Sequence, residues 1–132
     1  MELFRSYKEA HDALQLQGSF QRGTIGNTEE GITSLKLTEN PKSLDRVSKD
    51  LERIYYVGRG KKSSQGEPAT NQSLADQEPF FVSLRTQRPI PILMKLKAGV
   101  VLYPGTYCVM KIQPKLSPNK VLYYQIELHR CE

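Results

Sequence analysis

The sequence predicts a mainly β domain of the α+β class: a curled sheet or pseudo-barrel with an N-terminal helix and one or two further short helices. Three observations predict it. Short stretches rich in β-branched and aromatic residues recur between turn signals from Gly31 onward. Helical spacing of apolar residues is confined to the start of the chain and to one stretch after Pro79. The chain has 132 residues, 38% of them hydrophobic, which suits a single domain, 1–132, with one core.

The elements follow in order. Leu3, Phe4, Tyr7, Ala10, His11 and Leu14 recur at helical spacing, with Arg5, Lys8, Glu9 and Asp12 opposite. They predict an amphipathic helix within residues 1–18, running from Leu3 to about Leu16 and ended near Gly18. His11 beside the apolar face reads as a packing histidine. Ser19 to Gly31 is polar and glycine-containing, a loop or a weak strand. Gly31 to Leu37 alternates and predicts a strand, stopped by Glu39-Asn40-Pro41. Leu44 to Leu51 is charged and reads as a short helical turn. Arg53 to Val57 predicts a strand running into Gly58 to Ser64, a stretch without an apolar residue and so a solvated loop.

Thr70 to Ala75 reads as a turn of helix, and Pro79 suits the first position of a helix over Phe80 to Thr86. Pro89 to Leu96 is the most apolar run, and its prolines restrict it to a strand that begins there or lies at an edge. Val100 to Tyr103, Thr106 to Ile112 and Val121 to Leu128 complete about six strands, the last two joined by a hairpin loop over Gln113 to Lys120.

Charge is informative through its placement. The net charge is +5, but residues 1–45 hold five Lys/Arg against seven Asp/Glu, and the remainder holds fourteen against seven. A basic second part suits a one-sided polyanion-binding surface; charge serving solubility alone is the other reading. No apolar run approaches the roughly 20 residues of a membrane span, so no membrane partner is expected, and Met-Glu-Leu-Phe-Arg is unlike a signal peptide. Cys108 and Cys131 lack CxxC spacing and His11 and His129 stand far apart, so no metal site is expected and a reducing, intracellular setting is the default.

No catalytic residue and no cofactor is assigned. HExxH, GxSxG and Walker motifs are missing, and Gly58-Arg59-Gly60 does not complete GxGxxG. Glu127 with Glu132, or Asp45 with Asp50, lacks the spacing of a carboxylate nuclease centre. Arg59, Lys61, Lys62, Ser63, Ser64 and Gln65 instead gather charge, hydroxyls and amides on one loop, which suits contact with backbone phosphates or simply a solvated loop.

Several segments, taken together and in order, resemble one family. Tyr56-Val57-Gly58-Arg59-Gly60 resembles the YTGxG stretch of the SRA (SET- and RING-associated) domain. Gln65 followed by Asn71-Gln72-Ser73-Leu74 is similar to its DQ…NxAL segment, with Ser64 in place of the aspartate. Tyr103-Pro104-Gly105-Thr106-Tyr107-Cys108-Val109 resembles the YDG motif, with Pro104 in place of Asp. Arg88 to Ile92 is similar to the PVRV-type strand, and Tyr124 to Arg130 to the closing strand. The resemblance spans residues 31–130.

It implies a PUA-like pseudo-barrel that grips duplex DNA and flips a cytosine carrying a 5-methyl or 5-hydroxymethyl group into a pocket. Carried over residue by residue, it makes Tyr56 a stacking ring and Asp45 the acceptor for the exocyclic amine, with Asp50 the second candidate. Groups at Thr38, Glu39, Asn40 and Val57 would line the pocket. Arg59, Lys61, Lys62, Ser63, Ser64 and Gln65 would meet the DNA backbone, with Asn71 organising their loop.

Each assignment has a plainer counterpart. Tyr56 also suits a core strand, Asp45 a helix cap, and Tyr103 and Tyr107 the scaffold. The family's second stacking ring falls near Asn40-Pro41, where no aromatic stands, and the stretch from Gly60 to Gln65 is short. A short form of this kind implies the recognition module of a bacterial or phage modification-dependent restriction system, cytoplasmic and nucleoid-associated, or nuclear in a eukaryote. A nuclease or motor domain would then be fused or associated, and the ending soon after the last strand is read as an excised domain. The other readings are a PUA-like RNA or modified-RNA binder, a small metal-dependent nuclease and a protein-interaction module.

Overall fold

The computed structural model describes residues 1–38, 43–64 and 66–131. Among them, eight strands form one mixed sheet: β1 (Glu2–Phe4), β2 (Thr24–Asn27), β3 (Gly31–Thr38), β4 (Arg46–Val47), β5 (Arg53–Val57), β6 (Ile90–Lys95), β7 (Val101–Leu116) and β8 (Leu122–Arg130). Two helices accompany it, α1 (Tyr7–Ala13) and α2 (Glu78–Thr86), the second preceded by a 3-10 turn over Ala75–Gln77. Neither is long and apolar enough to cross a membrane.

The strands lie in the order β2-β3-β6-β7-β8-β5-β4, with β1 on β7. Among the described residues, only β3 and β6 pair in parallel. The sheet rolls until strands that are not ladder neighbours meet: the Thr24 hydroxyl of β2 bonds the Tyr56 hydroxyl of β5 at 2.8 Å. Ile32, Leu35, Ile54, Ile92, Tyr107 and Leu128 fill the roll, and Phe80 of α2 joins them. On the outer side of β3-β6-β7, α1 sits over a smaller cluster of Phe4, Ala10, Leu93 and Val101.

Several segments depart from the sequence-based expectation. Leu3 and Phe4 belong to β1, paired with Leu102 and Val101. The first helix therefore begins only at Tyr7, where the Ser6 hydroxyl accepts the Glu9 N–H at 3.1 Å. It ends by Ala13, with left-handed backbone at Gln15, before reaching Gly18. His11 is buried and its Nε2 bonds the Gly18 carbonyl at 2.8 Å, a packing role.

Residues 44–51 form the short strand β4 and a turn ending in left-handed backbone at Leu51 rather than a helical turn, because side chains capture nearby backbone donors. The Asp45 carboxylate takes the Val57 N–H at 2.7 Å, the Ser48 hydroxyl that of Arg53 at 3.0 Å, and the Asp50 carboxylate that of Glu52 at 3.0 Å.

The strand over Ile90–Lys95 is interior, between β3 and β7, not an edge. Its ladder with β3 begins only at Ile92, so Pro91 lies outside that ladder and its missing N–H is tolerated. Val100–Tyr103 and Thr106–Ile112 are one strand, continued to Leu116 through the expected loop. Pro104-Gly105 coincides with a register shift opposite β6, which bends the strand without ending it.

Cys108 and Cys131, expected as thiols, are paired in a disulfide with Cα atoms 6.0 Å apart. By chain entropy, a loop with a sequence separation of 23 stabilises by about 3 kcal/mol.

Besides the packing of Phe80, a buried hydrogen bond ties α2 to β3, the Ser83 hydroxyl accepting the Ile32 N–H at 2.8 Å. Ser83→Ala leaves that donor unpaired in the core and is expected to cost about 2 kcal/mol in urea denaturation, with the slope of the transition unchanged.

Candidate functional site

The roll of the sheet brings its far segments together around a cavity of about 390 Å³. β3 supplies Lys36 and Thr38; the segment before β4 supplies Ser43 and Asp45; β5 supplies Tyr56; and the following loop supplies Lys62 and Ser64. Gly23, in the turn before β2, lies within 4.0 Å of the Tyr56 hydroxyl were it given a Cβ. The walls thus hold one carboxylate, two ammonium groups, three aliphatic hydroxyls and one aromatic ring.

Tyr56 is buried, at 4% exposure, yet it lines the cavity. One side of its ring meets Phe80, centroids 6.2 Å apart and tilted by 47°. The Lys62 ammonium lies 5.5 Å from the ring centroid. Burial pushes the phenol far up, so it stays protonated and shares its hydrogen bond with Thr24.

Asp45 is oriented by the bond from the Val57 N–H, and its own N–H reaches the Ser43 hydroxyl at 3.1 Å. Burial holds its carboxyl above the ordinary range, against the opposite pull of the Val57 N–H and of Lys62. Burial in turn holds Lys62 below the usual lysine range, with Asp45 pulling the other way.

The cavity unites Tyr56, Asp45, Thr38, Lys62 and Ser64, and the backbone of Val57 fixes the carboxylate. Other predicted site residues lie elsewhere. Asp50 is exposed in the β4–β5 turn and does not line the cavity; its carboxylate bonds the Ser48 hydroxyl at 2.6 Å. Arg59 reaches back to the Gly26 carbonyl at 3.4 Å. Lys61 and Ser63 flank Lys62 in a small hairpin: the Lys61 carbonyl accepts the Ala69 N–H, and the Ser63 N–H donates to the Glu67 carbonyl. The Asn71 side chain accepts the Leu122 N–H at 2.9 Å, tying this segment to β8. Glu39, Asn40 and Gln65 lie outside the described residues, as does Pro41.

Two buried glutamines, unassigned from sequence, hold the turn behind Tyr56. Gln77 accepts the Arg59 N–H at 2.9 Å and donates to the Arg59 carbonyl at 2.8 Å. Gln72 donates to the Gly58 carbonyl at 2.9 Å and accepts the Tyr124 N–H at 2.8 Å. A Cβ on Gly60 would stand 2.8 Å from the Gln72 side chain, and one on Gly58 would collide with the Gln77 amide. The glycine pair is thus required by the close approach of the two glutamines. Tyr107, buried, donates to the Leu51 carbonyl at 2.5 Å and belongs to the scaffold. Lys36 and Gly23 carried no signal of their own, since only the roll of the sheet brings them to Tyr56.

No family model matches the sequence, and no curated protein matches it. Solved structures do match. KRYPTONITE in complex with mCHG DNA and SAH superposes with a TM-score of 0.76 at 17% identity, over 99% of this chain and 32% of that one. The SUVH5 SRA domain bound to fully hydroxymethylated CG DNA gives 0.77 at 18%, over 96% of this chain and 85% of that one. The modification-dependent TagI restriction endonuclease gives 0.76 at 18%, over 98% and 48% respectively. The chain spans about a third of KRYPTONITE and about half of TagI. Its architecture is that of an SRA domain.

Because the Asp45 carboxyl is raised, its ionised form is disfavoured in the folded chain. The contribution to folding is therefore lost as pH rises through the raised pKa. Asp45→Asn, which keeps an acceptor for the Val57 N–H, is expected to be more stable than the parent chain at pH 7. The difference should close below about pH 4, as read by denaturant melts across pH.

Proposed function

We propose that this chain is a non-catalytic reader of duplex DNA that holds an extruded, 5-modified cytosine in the Tyr56–Asp45 cavity. One observation carries the reading: an aromatic ring and a fixed carboxylate line the same cavity beneath a lysine. A planar base needs a ring to stack on, and the exocyclic amine of cytosine needs an acceptor that water cannot replace. Asp45 supplies that acceptor, already oriented by Val57. The Lys62 ammonium holds the place over Tyr56 until a base takes it, and then turns to a phosphate on the rim. Lys61 and Arg59 add backbone contacts beside it. The SRA fold supports the same reading, because SUVH5 SRA is bound to hydroxymethylated DNA in its complex.

Cleavage, in this reading, belongs to a fused or associated nuclease or motor domain in a modification-dependent restriction system, and the chain works on DNA in a bacterial or phage-infected cytoplasm. The likeness to TagI supports that setting.

Fluorescence anisotropy on matched duplexes with cytosine, 5-methylcytosine or 5-hydroxymethylcytosine tests the reading. The parent chain is expected to favour a modified duplex by about 1–3 kcal/mol, roughly fivefold to 150-fold. Asp45→Asn and Tyr56→Leu are expected to bring that ratio to about one while weak, salt-sensitive binding persists. Equal affinity of the parent chain for all three duplexes would refute it.

A further inference from the structure

A second cavity, of about 460 Å³, adjoins the first and shares Gly23, Lys36 and Thr38 with it. Its far wall comes from α1 and the end of β6, including Tyr7, Lys8 and Lys95. Lys36 is 8% exposed, and its ammonium spends one donor on the Arg22 carbonyl at 3.0 Å. Lys95 lies 5.8 Å from the centre of the Tyr7 ring. Neither forms an ion pair with a described residue, whereas Lys8 is matched by Asp12 at 3.0 Å. Burying an ammonium without a carboxylate is costly unless a ligand supplies the missing charge. Burial alone holds Lys36 below the usual lysine range, and a bound anion would reverse that.

We propose that Lys36 and Lys95 form an oxyanion subsite opening off the base cavity, filled by a negatively charged oxygen group carried on the extruded nucleotide. The proposal rests on the reader function above. The group has two sources: a carboxylate at C5 of the cytosine, or the backbone phosphate beside it. Tyr7 stiffens the wall, its hydroxyl donating to the Leu37 carbonyl at 2.5 Å.

Anisotropy titrations with four duplexes separate the cases: cytosine, 5-methylcytosine, 5-carboxylcytosine, and 5-methylcytosine with a neutral methylphosphonate at the adjoining phosphate. If the base carries the oxyanion, the carboxyl duplex binds the parent chain about tenfold tighter than the methyl duplex, and Lys36→Met removes that gain. If the phosphate carries it, methylphosphonate weakens the parent chain about tenfold and leaves Lys36→Met unmoved. Lys95→Ala, at an exposed position, repeats each comparison with a smaller effect and carries the test should the Lys36 variant fold poorly. A preference for methyl over plain cytosine, with neither carboxyl gain nor a variant-dependent phosphonate loss, overturns the subsite and leaves the reader intact. No preference for any modified duplex overturns the reader, and the subsite with it.

Discussion

A rolled sheet must close somewhere, and here it closes through a hydroxyl pair instead of a ladder. Thr24 on β2 and Tyr56 on β5 are strangers in the order of strands, yet they bond at 2.8 Å. That contact fixes where the Tyr56 ring stands, and the ring fixes the cavity: Lys62 lies over it, Phe80 packs beside it, and Asp45 stands near it. Were the roll looser, the same residues would line an open face without a shared hollow. Closure by side chains, with no unbroken ring of strands among the described residues, is what leaves the cavity between β3 and β5.

The cavity holds its charges at a cost. Desolvation works against the charged forms of Asp45, Lys62 and Lys36. A fold selected for stability alone would place smaller apolar groups there. Groups kept in such positions mark where a protein is ready to exchange water for something else. Asp45 and Lys62 line the same cavity, and each draws the other toward its charged form against the larger effect of burial.

Much of this was legible in the sequence, and the rest has identifiable causes. The alternation of Gly31 to Leu37 and of Arg53 to Val57 marked β3 and β5 because each buries one face against a single core. The order of short motifs singles out Tyr56 and Asp45, and loop composition singles out Lys62 for the DNA backbone; no spacing joins a residue at 45 to one at 62 in one cavity. Two failures share one origin, side chains overriding local signals: Ser6 starts α1 late, and Asp45, Ser48 and Asp50 hold 44–51 in a short strand and turn; a third is a matter of the backbone, where a register shift absorbs Pro104-Gly105 within β7. Lys36 and the buried pair Gln72 and Gln77 were invisible for a different reason. A polar residue in a strand or short turn reads as surface until the fold shows what lies above it.

The turn behind Tyr56 is pinned from within by Gln72 and Gln77, and the basic hairpin beyond it is pinned at its base by the Lys62–Pro68 bridge and the Lys61–Ala69 bond. The hairpin is therefore anchored at its base, apart from the bonds that hold the Tyr56 ring. Evolution is free to splice a longer projection between those two anchors, reaching further into a groove or toward a neighbouring domain, while the ring below keeps its position. A module built this way can vary the reach of its hairpin while the ring beneath stays where the sheet holds it.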